Sequence, residues 1–251
     1  MYSIYADGEL LFSTSSTEEA HIALSPMLTL DVRDVGSLSF TLPPGNVLHG
    51  RLRKLKTIVT VMQDDTEIFR GRVTDETKDI YNQSQVYCEG DKAFFSDSLY
   101  APYTFAGTVH DFARSLVDSH NRQVSADKQF VLGELSAVPE DKTLDVEDKA
   151  YRDTYSTMEE MLVNAYGGYL RTRTEGGVHY LDWLKEYGTN SQKIQFSVNL
   201  LDLKEKVDAG DVFTCLIPLG ETKEGKNGTP LTIESVNGGK NYIRDEEGVA
   251  L

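Results

Sequence analysis

Apolar residues recur at every second position through most of the first 95 residues, and turn-forming residues fill the gaps between the runs. That spacing predicts strands with one face turned inward. Tyr2-Ser3-Ile4-Tyr5 and Leu10-Leu11-Phe12 flank Asp7-Gly8, a dipeptide that readily takes the positive φ of a tight hairpin turn. Leu28, Leu30 and Val32 alternate with Thr29, Asp31 and Arg33. Asp34-Val35-Gly36-Ser37 then turns the chain into Leu38, Phe40 and Leu42. Pro43-Pro44-Gly45-Asn46 ends that strand, because proline has no N–H to give the ladder. Thr57 to Met62 reads as a strand buried largely on both sides, and Gln63-Asp64-Asp65-Thr66 returns it into Glu67 to Val73. A further hairpin through Ile80-Tyr81-Asn82 leads to Val86-Tyr87-Cys88. At least six strands in this span predict an all-β region, a small antiparallel barrel.

The period then changes to that of a helix. Val109, Phe112, Ala113, Leu116 and Val117 share one face of a helix over 108–121, with Thr108 and Asp111 spaced as a capping pair. A charged, irregular segment with Glu140, Asp141, Asp145, Glu147 and Asp148 follows. Ser156 and Glu159 mark the start of a second helix, with Met158, Met161, Leu162 and Ala165 on one face and Gly167-Gly168 as its stop. Tyr169 to Arg173 and Val178 to Trp183, joined by Glu175-Gly176-Gly177, form another hairpin. Strands return from about Asp211 with Phe213 to Pro218, Leu231 to Ile233 and Asn241 to Ile243. The expected class is mainly β with an α+β insertion. The expected domains are a β-barrel over 1–95, a two-helix and hairpin α+β domain over 96–205, and a β segment over 206–251. That last segment reads as an incomplete second barrel or a return to the first. Arg244 to Leu251 carries neither cap nor polar tail, so the chain is expected to be a fragment or to stop where another domain begins.

Composition narrows the function classes. With 251 residues the chain can build two or three cores. Its formal net charge of −15 removes the usual electrostatic drive toward nucleic-acid backbones and anionic membrane surfaces. Acidity alone also keeps a protein soluble. The N-terminus has no basic flank followed by an apolar stretch, and no run reaches membrane-spanning length, so synthesis in a cytoplasm without an export signal is expected. Cys88 and Cys215 lie in apolar runs and read as buried free thiols.

The candidate chemistries are thin. Gly220 to Lys226 has phosphate-loop spacing after a strand, but Asn227 stands where a magnesium-binding hydroxyl belongs, and Gly228-Thr229-Pro230 cannot open the required helix. A long hairpin loop is the better reading. His21, His49, His110, His120 and His179 show no metal spacing, and no Cys-x-x-Cys or His-Glu-x-x-His occurs. No Gly-x-Ser-x-Gly elbow is present, and Gly36-Ser37-Leu38-Ser39 is a turn entering a strand. The acidic cluster from Glu134 to Asp153 lacks calcium-loop spacing and reads as a solvated face. The basic run Arg51 to Lys56 either meets an acidic edge of a neighbouring subunit or is solvated. No catalytic, cofactor-binding or metal residue is assigned.

Several short motifs keep a suggestive order: Leu24-Ser25-Pro26-Met27-Leu28, Gly36 to Pro44, Lys54-Leu55-Lys56, Ile68 to Val73, and Cys88-Glu89-Gly90 followed by Phe95-Ser96-Asp97-Ser98. With the helix over 108–121 after Pro102-Tyr103-Thr104-Phe105, they cover nearly the whole chain. This series resembles the N-terminal hub region of siphophage tail-hub proteins, the tail-associated lysin or prophage endopeptidase tail family. The resemblance implies a fold similar to the baseplate hub of contractile-tailed phages, with barrels that echo the tail-tube protein. It implies a homotrimer whose barrels make a pseudo-sixfold ring at the virion tail tip, capping the tube below the distal tail protein. Partners would be further copies of itself, the distal tail protein and the tail tube or tape-measure protein, with DNA passing through without specific binding. Family members continue into C-terminal fibre or wall-degrading domains, so this length departs from the pattern. Edges and loops would pair between copies, and an acidic lumen would let DNA slide. The rival readings are a cell-wall peptidase and a monomeric carbohydrate-binding β module.

Overall fold

Asp7 and Gly8 take φ of 49° and 82°, and so close the first hairpin between β1 (Tyr2–Ala6) and β2 (Glu9–Ser13). The structure, a computed structural model, describes residues 1–188, 193–196, 198–200, 202–204, 213–222 and 230–245. Five more strands extend this first sheet: β3 (Leu24–Thr29), β4 (Ser37–Leu42), β5 (Ile58–Gln63), β6 (Thr66–Lys78) and β7 (Ser84–Gly90). The order is β2-β1-β5-β6-β7-β4-β3, antiparallel throughout, and the sheet curls as a half-barrel with β2 and β3 at its edges. Alternation buries Leu38, Phe40 and Leu42 of β4, Val59 and Val61 of β5, and Val86 and Cys88 of β7 in one core. Each such side chain stabilises the fold by about 2 kcal/mol. The mainly β class with an α+β insertion is thus what the chain adopts.

β3 differs from its sequence reading more than β5 does. In β5 Val59 and Val61 are buried, while Ile58, Thr60 and Met62 on the other face are half-buried, with Ile58 packed against the second core. β3 begins earlier and stops at Thr29, leaving Leu30 and Val32 exposed in the loop to β4. There Asp31 Oδ1 accepts from Arg33 N at 2.8 Å and Asp34 Oδ1 from Val35 N at 2.7 Å. Such local side-chain bonds compete with a ladder and turn the chain out of the sheet.

A second core follows, entered by a 3-10 helix over Asp91–Asp97. Its elements are β8 (Leu99–Tyr100), β9 (Tyr103–Thr108), α1 (Val109–Asn121), β10 (Val131–Leu135), β11 (Thr143–Asp148), β12 (Arg152–Asp153) and α2 (Thr154–Met158), then β13 (Tyr169–Glu175) and β14 (Val178–Leu184). β10 runs parallel to β14 in a sheet of order β10-β14-β13, while β11 pairs with β9 and β12 with β8. In α1, Val109, Phe112, Ala113, Leu116, Val117 and His120 are buried, the spacing of one helical face.

The segment expected to be irregular is partly strand β11, where Leu144 is buried while Asp145 and Glu147 face outward. α2 starts before Ser156, because Asp153 is its cap and accepts from Ser156 N at 2.9 Å. The helix continues as a π-turn over Glu159–Asn164, whose wider winding rotates the face: Leu162 is buried, Met161 half-buried and Ala165 exposed. Gly167 and Gly168, at φ of 81° and 84°, end it as expected.

The chain divides into two compact units, Met1–Asn190 and Ser191–Leu251. In the second, β15 (Cys215–Leu216) pairs with β18 (Ile243–Arg244), and β16 (Leu219–Thr222) with β17 (Pro230–Thr232). Cys215 is exposed rather than buried, since a two-residue ladder leaves it open to solvent, whereas Cys88 is fully buried. Of the phosphate-loop spacing, Lys223 to Thr229 lie outside the described residues.

Candidate functional site

Strand β6 is covered on both faces through its middle. Phe69 and Val73 enter the first core, so the period of two sends Arg70 and Arg72 to the opposite face, toward the second core. Both guanidinium groups sit over the Phe94 ring, at 5.5 and 5.2 Å from its centroid, and the Lys128 ammonium lies 5.7 Å from the same centroid. Each cation is matched. Arg70 pairs with Asp91 at 3.4 Å and donates to the Asp127 carbonyl. Arg72 pairs with Glu89 at 2.7 Å and with Asp97, which also accepts from Lys128 at 2.7 Å. Thr172 Oγ1 donates to Asp91 at 2.5 Å and Thr174 Oγ1 to Glu67 at 2.5 Å, tying β13 to the same seam. Burial pushes the Asp91 carboxyl up to about 6, against the pull of Thr172 and Arg70. Burial also opposes ionisation of Asp97, but the hydrogen bonds from Arg72 and Lys128 prevail and hold its carboxyl below the ordinary range.

Beside this seam lies a cleft of about 250 Å³, walled by the loop from Leu30 to Gly36, by β6, by Asp91 and Lys92, and by Leu170 to Arg173 of β13. Asp182, fully buried, accepts from Arg171 Nη2 at 2.7 Å, Arg173 Nε at 2.8 Å and Glu134 N at 2.8 Å. A second, apolar groove of about 510 Å³ opens between the two edges of the half-barrel, with Ile4, Phe12, Pro26, Leu28 and Ile68 among its walls.

Ser98, His120 and Thr154 come closest to a nucleophile and base. Ser98 Oγ lies 2.8 Å from His120 Nδ1 and 2.7 Å from Thr154 Oγ1. His120 Nε2 is 3.0 Å from the Lys128 carbonyl, a contact that fixes Nε2 as the protonated nitrogen and leaves Nδ1 to accept from Ser98. All three side chains are buried, and burial lowers the His120 pKa. The group lies buried where the 3-10 helix, α1 and α2 meet.

The other candidates disperse. His21 contacts the Leu10 carbonyl, His49 that of Asn82, His110 that of Val138, and His179 the Thr174 hydroxyl. Among the described residues no group of three metal-ligating side chains forms. In the acidic cluster, Asp148 pairs with Arg152 and Asp153 caps α2. In the basic run, Arg51 pairs with Glu9 at 2.8 Å and Lys54 with Asp75 at 3.3 Å, both within the chain. Sequence reasoning missed Arg70, Arg72, Asp91 and Lys92. The available signal was two charges at alternate positions of a strand otherwise made of core residues.

The fold is similar to that of the prophage tail protein gp18 from Listeria monocytogenes EGD-e, with a TM-score of 0.52 over 99% of this chain and 68% of that one, at 12% identity. Looser likenesses join it to a tail protein from Neisseria meningitidis MC58 (TM-score 0.46, 14% identity, 72% of this chain and 50% of that) and to the 43 kDa tail protein of prophage MuSo2 from Shewanella oneidensis (TM-score 0.43, 11% identity, 72% and 52%). No protein-family model and no curated protein matches the chain.

Proposed function

We propose that the chain is a structural subunit of a bacteriophage or prophage tail tip, a hub or baseplate protein whose copies close a homotrimeric ring. The ring caps the tail tube, adjoins the distal tail protein and the tube or tape-measure protein, and anchors distal fibre or lytic domains. In this reading residues 1–95 are the β-barrel hub domain, 96–205 an α+β domain, and 206–251 a β segment that is an incomplete second barrel or a return to the first. The segment performs no catalysis and its place is the virion. The observation that carries the proposal is the likeness of fold to a prophage tail protein along 99% of the chain.

Two surface features support it. Edge strand β3 exposes Leu24 and, at 63%, Met27. The tip of the long β6–β7 hairpin exposes Ile80 at 91% and Tyr81 at 74%. Apolar residues placed singly on a surface are ordinary, but an apolar edge beside an apolar groove is what a second copy would cover. Pro26 interrupts the β3 edge and a bulge breaks its register between Leu24 and Met27, so side chains rather than a continuous ladder would make the contact. Light scattering on the purified chain tests the proposal. The expected mass is three times the 28.0 kDa of one chain, with ring-shaped particles in negative stain. A monomer at every concentration would refute it.

A further inference from the structure

The turn that ends the β6–β7 hairpin is closed by its own polar groups. Asp79 Oδ1 accepts from Tyr81 N and from Gln83 N, each at 2.9 Å, and the Asp79 carbonyl accepts from Asn82 N at 3.1 Å. Asn82 takes a φ of 59°, and its carbonyl accepts from His49 Nε2 at 2.6 Å, which ties the turn to the loop before β5. Asp and Asn favour such turns because their side chains bond the backbone locally. The turn holds out Ile80 and Tyr81, the two most exposed large apolar side chains of the first unit. A turn already fixed in one shape loses little freedom on binding, so the pair is presented ready to be covered.

The groove between the edges of the half-barrel is a matching hole. None of the residues that line it is charged, in a chain whose net charge is −15. Its volume of about 510 Å³ lies in the range that encloses a drug-sized molecule, roughly 300–1,000 Å³, so two large side chains fit. Charge matches as well. Lys78 and Asp79 cancel at the tip, and the Asp79 carboxylate is spent within the turn, so the tip brings no net charge to an uncharged hole. An acidic face of a neighbour would instead lose water from its carboxylates and find no partner there. The tip cannot reach its own groove: Ile68 near one end of β6 lines the groove, while the tip follows Lys78 at the other end, roughly 30 Å along the strand.

We infer that the Ile80–Tyr81 tip of one copy seats in the uncharged groove of the next. Knob and hole lie on different parts of the chain, so the contact is head-to-tail. Such a contact closes a ring when the rotation between copies divides the circle, and otherwise runs on as a filament. In a closed ring each copy uses its tip once and its groove once, and neither is left in water. The count of three rests on the ring proposed above; the pairing of tip with groove does not.

Cross-linking of the full chain tests the pairing, in a Cys215→Ser background that leaves the fully buried Cys88 as the native thiol. Tyr81→Cys, which keeps Ile80, is mixed with Thr14→Cys or with Pro26→Cys, on the two banks of the groove, and oxidised. A disulfide-linked dimer should form at least about tenfold faster than with Asp145→Cys on the outer face of β11, because docking raises the effective concentration of the two thiols. Adding Ile80→Ser should remove that advantage and leave the melting temperature of the chain unchanged, since the side chain is 91% exposed. A chain that carries both Tyr81→Cys and Thr14→Cys should give a ladder that ends at three copies. Light scattering on the same samples separates the pairing from the ring. A trimer without the selective cross-link overturns the pairing and leaves the ring standing. A selective cross-link with a ladder that runs past three keeps the pairing and overturns the closed ring. Equal rates at the groove and at Asp145→Cys, in a chain that stays monomeric, overturn both.

Discussion

Asp182 is an ionised carboxylate with no solvent exposure, and its environment explains how. Burial pushes its pKa up, but the bonds from Arg173, Arg171 and the Glu134 amide prevail and hold it below the ordinary range. A carboxylate depressed in this way contributes stability that is present above its unfolded pKa, near 3.9, and is lost as pH falls through the folded value. Asp182→Asn keeps the shape, removes the charge and leaves two guanidiniums facing each other, so it should cost about 3 kcal/mol in urea unfolding at pH 7. Asp91 carries the opposite sign. Its carboxyl is raised to about 6, so the folded state holds the proton more tightly and stability falls as pH rises between about 4 and 6. Asp91→Asn cannot ionise, and relative to the parent it should gain on the order of 2 kcal/mol between pH 4 and pH 7, read from urea midpoints. A gap that does not change with pH would show that Asp91 is not the titrating group. Neither residue is legible in the sequence. Asp182 lies in the hairpin strand Val178–Leu184 as one more polar position, and its partners come from β10 and β13. Alternation states only that Arg70 and Arg72 leave the first core, not that a second core waits on the other side.

Elements written in local signals were the readable ones. The hairpin turns at Asp7-Gly8 and Gly176-Gly177 and the stop at Gly167-Gly168 all take positive φ. The cap of α1 forms in both directions: Asp111 N donates to Thr108 Oγ1 at 3.1 Å, and Thr108 Oγ1 donates to Asp111 Oδ2 at 2.8 Å. Thr108→Ala should therefore cost about 1 kcal/mol, measurable as a lowered unfolding midpoint. Elements defined by a distant partner were not readable. β11 is a strand because β9, some forty residues earlier in the chain, supplies its ladder, and its acidic outer face masked the alternation of Leu144 and Val146. The β6–β7 pair shows a related limit. Gly71 and Gly90 stand opposite each other, and a Cβ on them would lie 2.1 Å from the Glu89 carbonyl oxygen and 1.9 Å from that of Val35. Both obstacles are backbone, which cannot swing aside. Gly90→Ala should cost about 2 kcal/mol or more by forcing the Val35 loop off the sheet, and hydrogen exchange over residues 30–36 should rise with it.

At the scale of the molecule, net charge and exposed apolar surface oppose each other. In the proposed trimer each copy carries −15, so bringing three together raises a repulsion that the contact must overcome. The two cations of the basic run with observed partners, Arg51 and Lys54, are engaged by Glu9 and Asp75 of their own chain, which weakens the case for that run as the adhesive between copies. The exposed apolar residues on β3 and at the β6–β7 tip remain the better source of attraction. Salt separates the two forces, because it screens repulsion between surfaces and leaves apolar burial intact. The fraction of trimer should accordingly grow as sodium chloride rises from about 0.05 to about 0.5 M, where the screening length shrinks to a few ångströms. Ile80→Asp adds a charge to a side chain with almost no contacts, so it should leave the melting temperature of the single chain within about 0.5 kcal/mol of stability while lowering the trimer fraction at every salt concentration. A trimer that instead dissociates as salt rises would mean that opposite charges hold the copies together, and Arg51 to Lys56 on an acidic neighbour would become the contact to map.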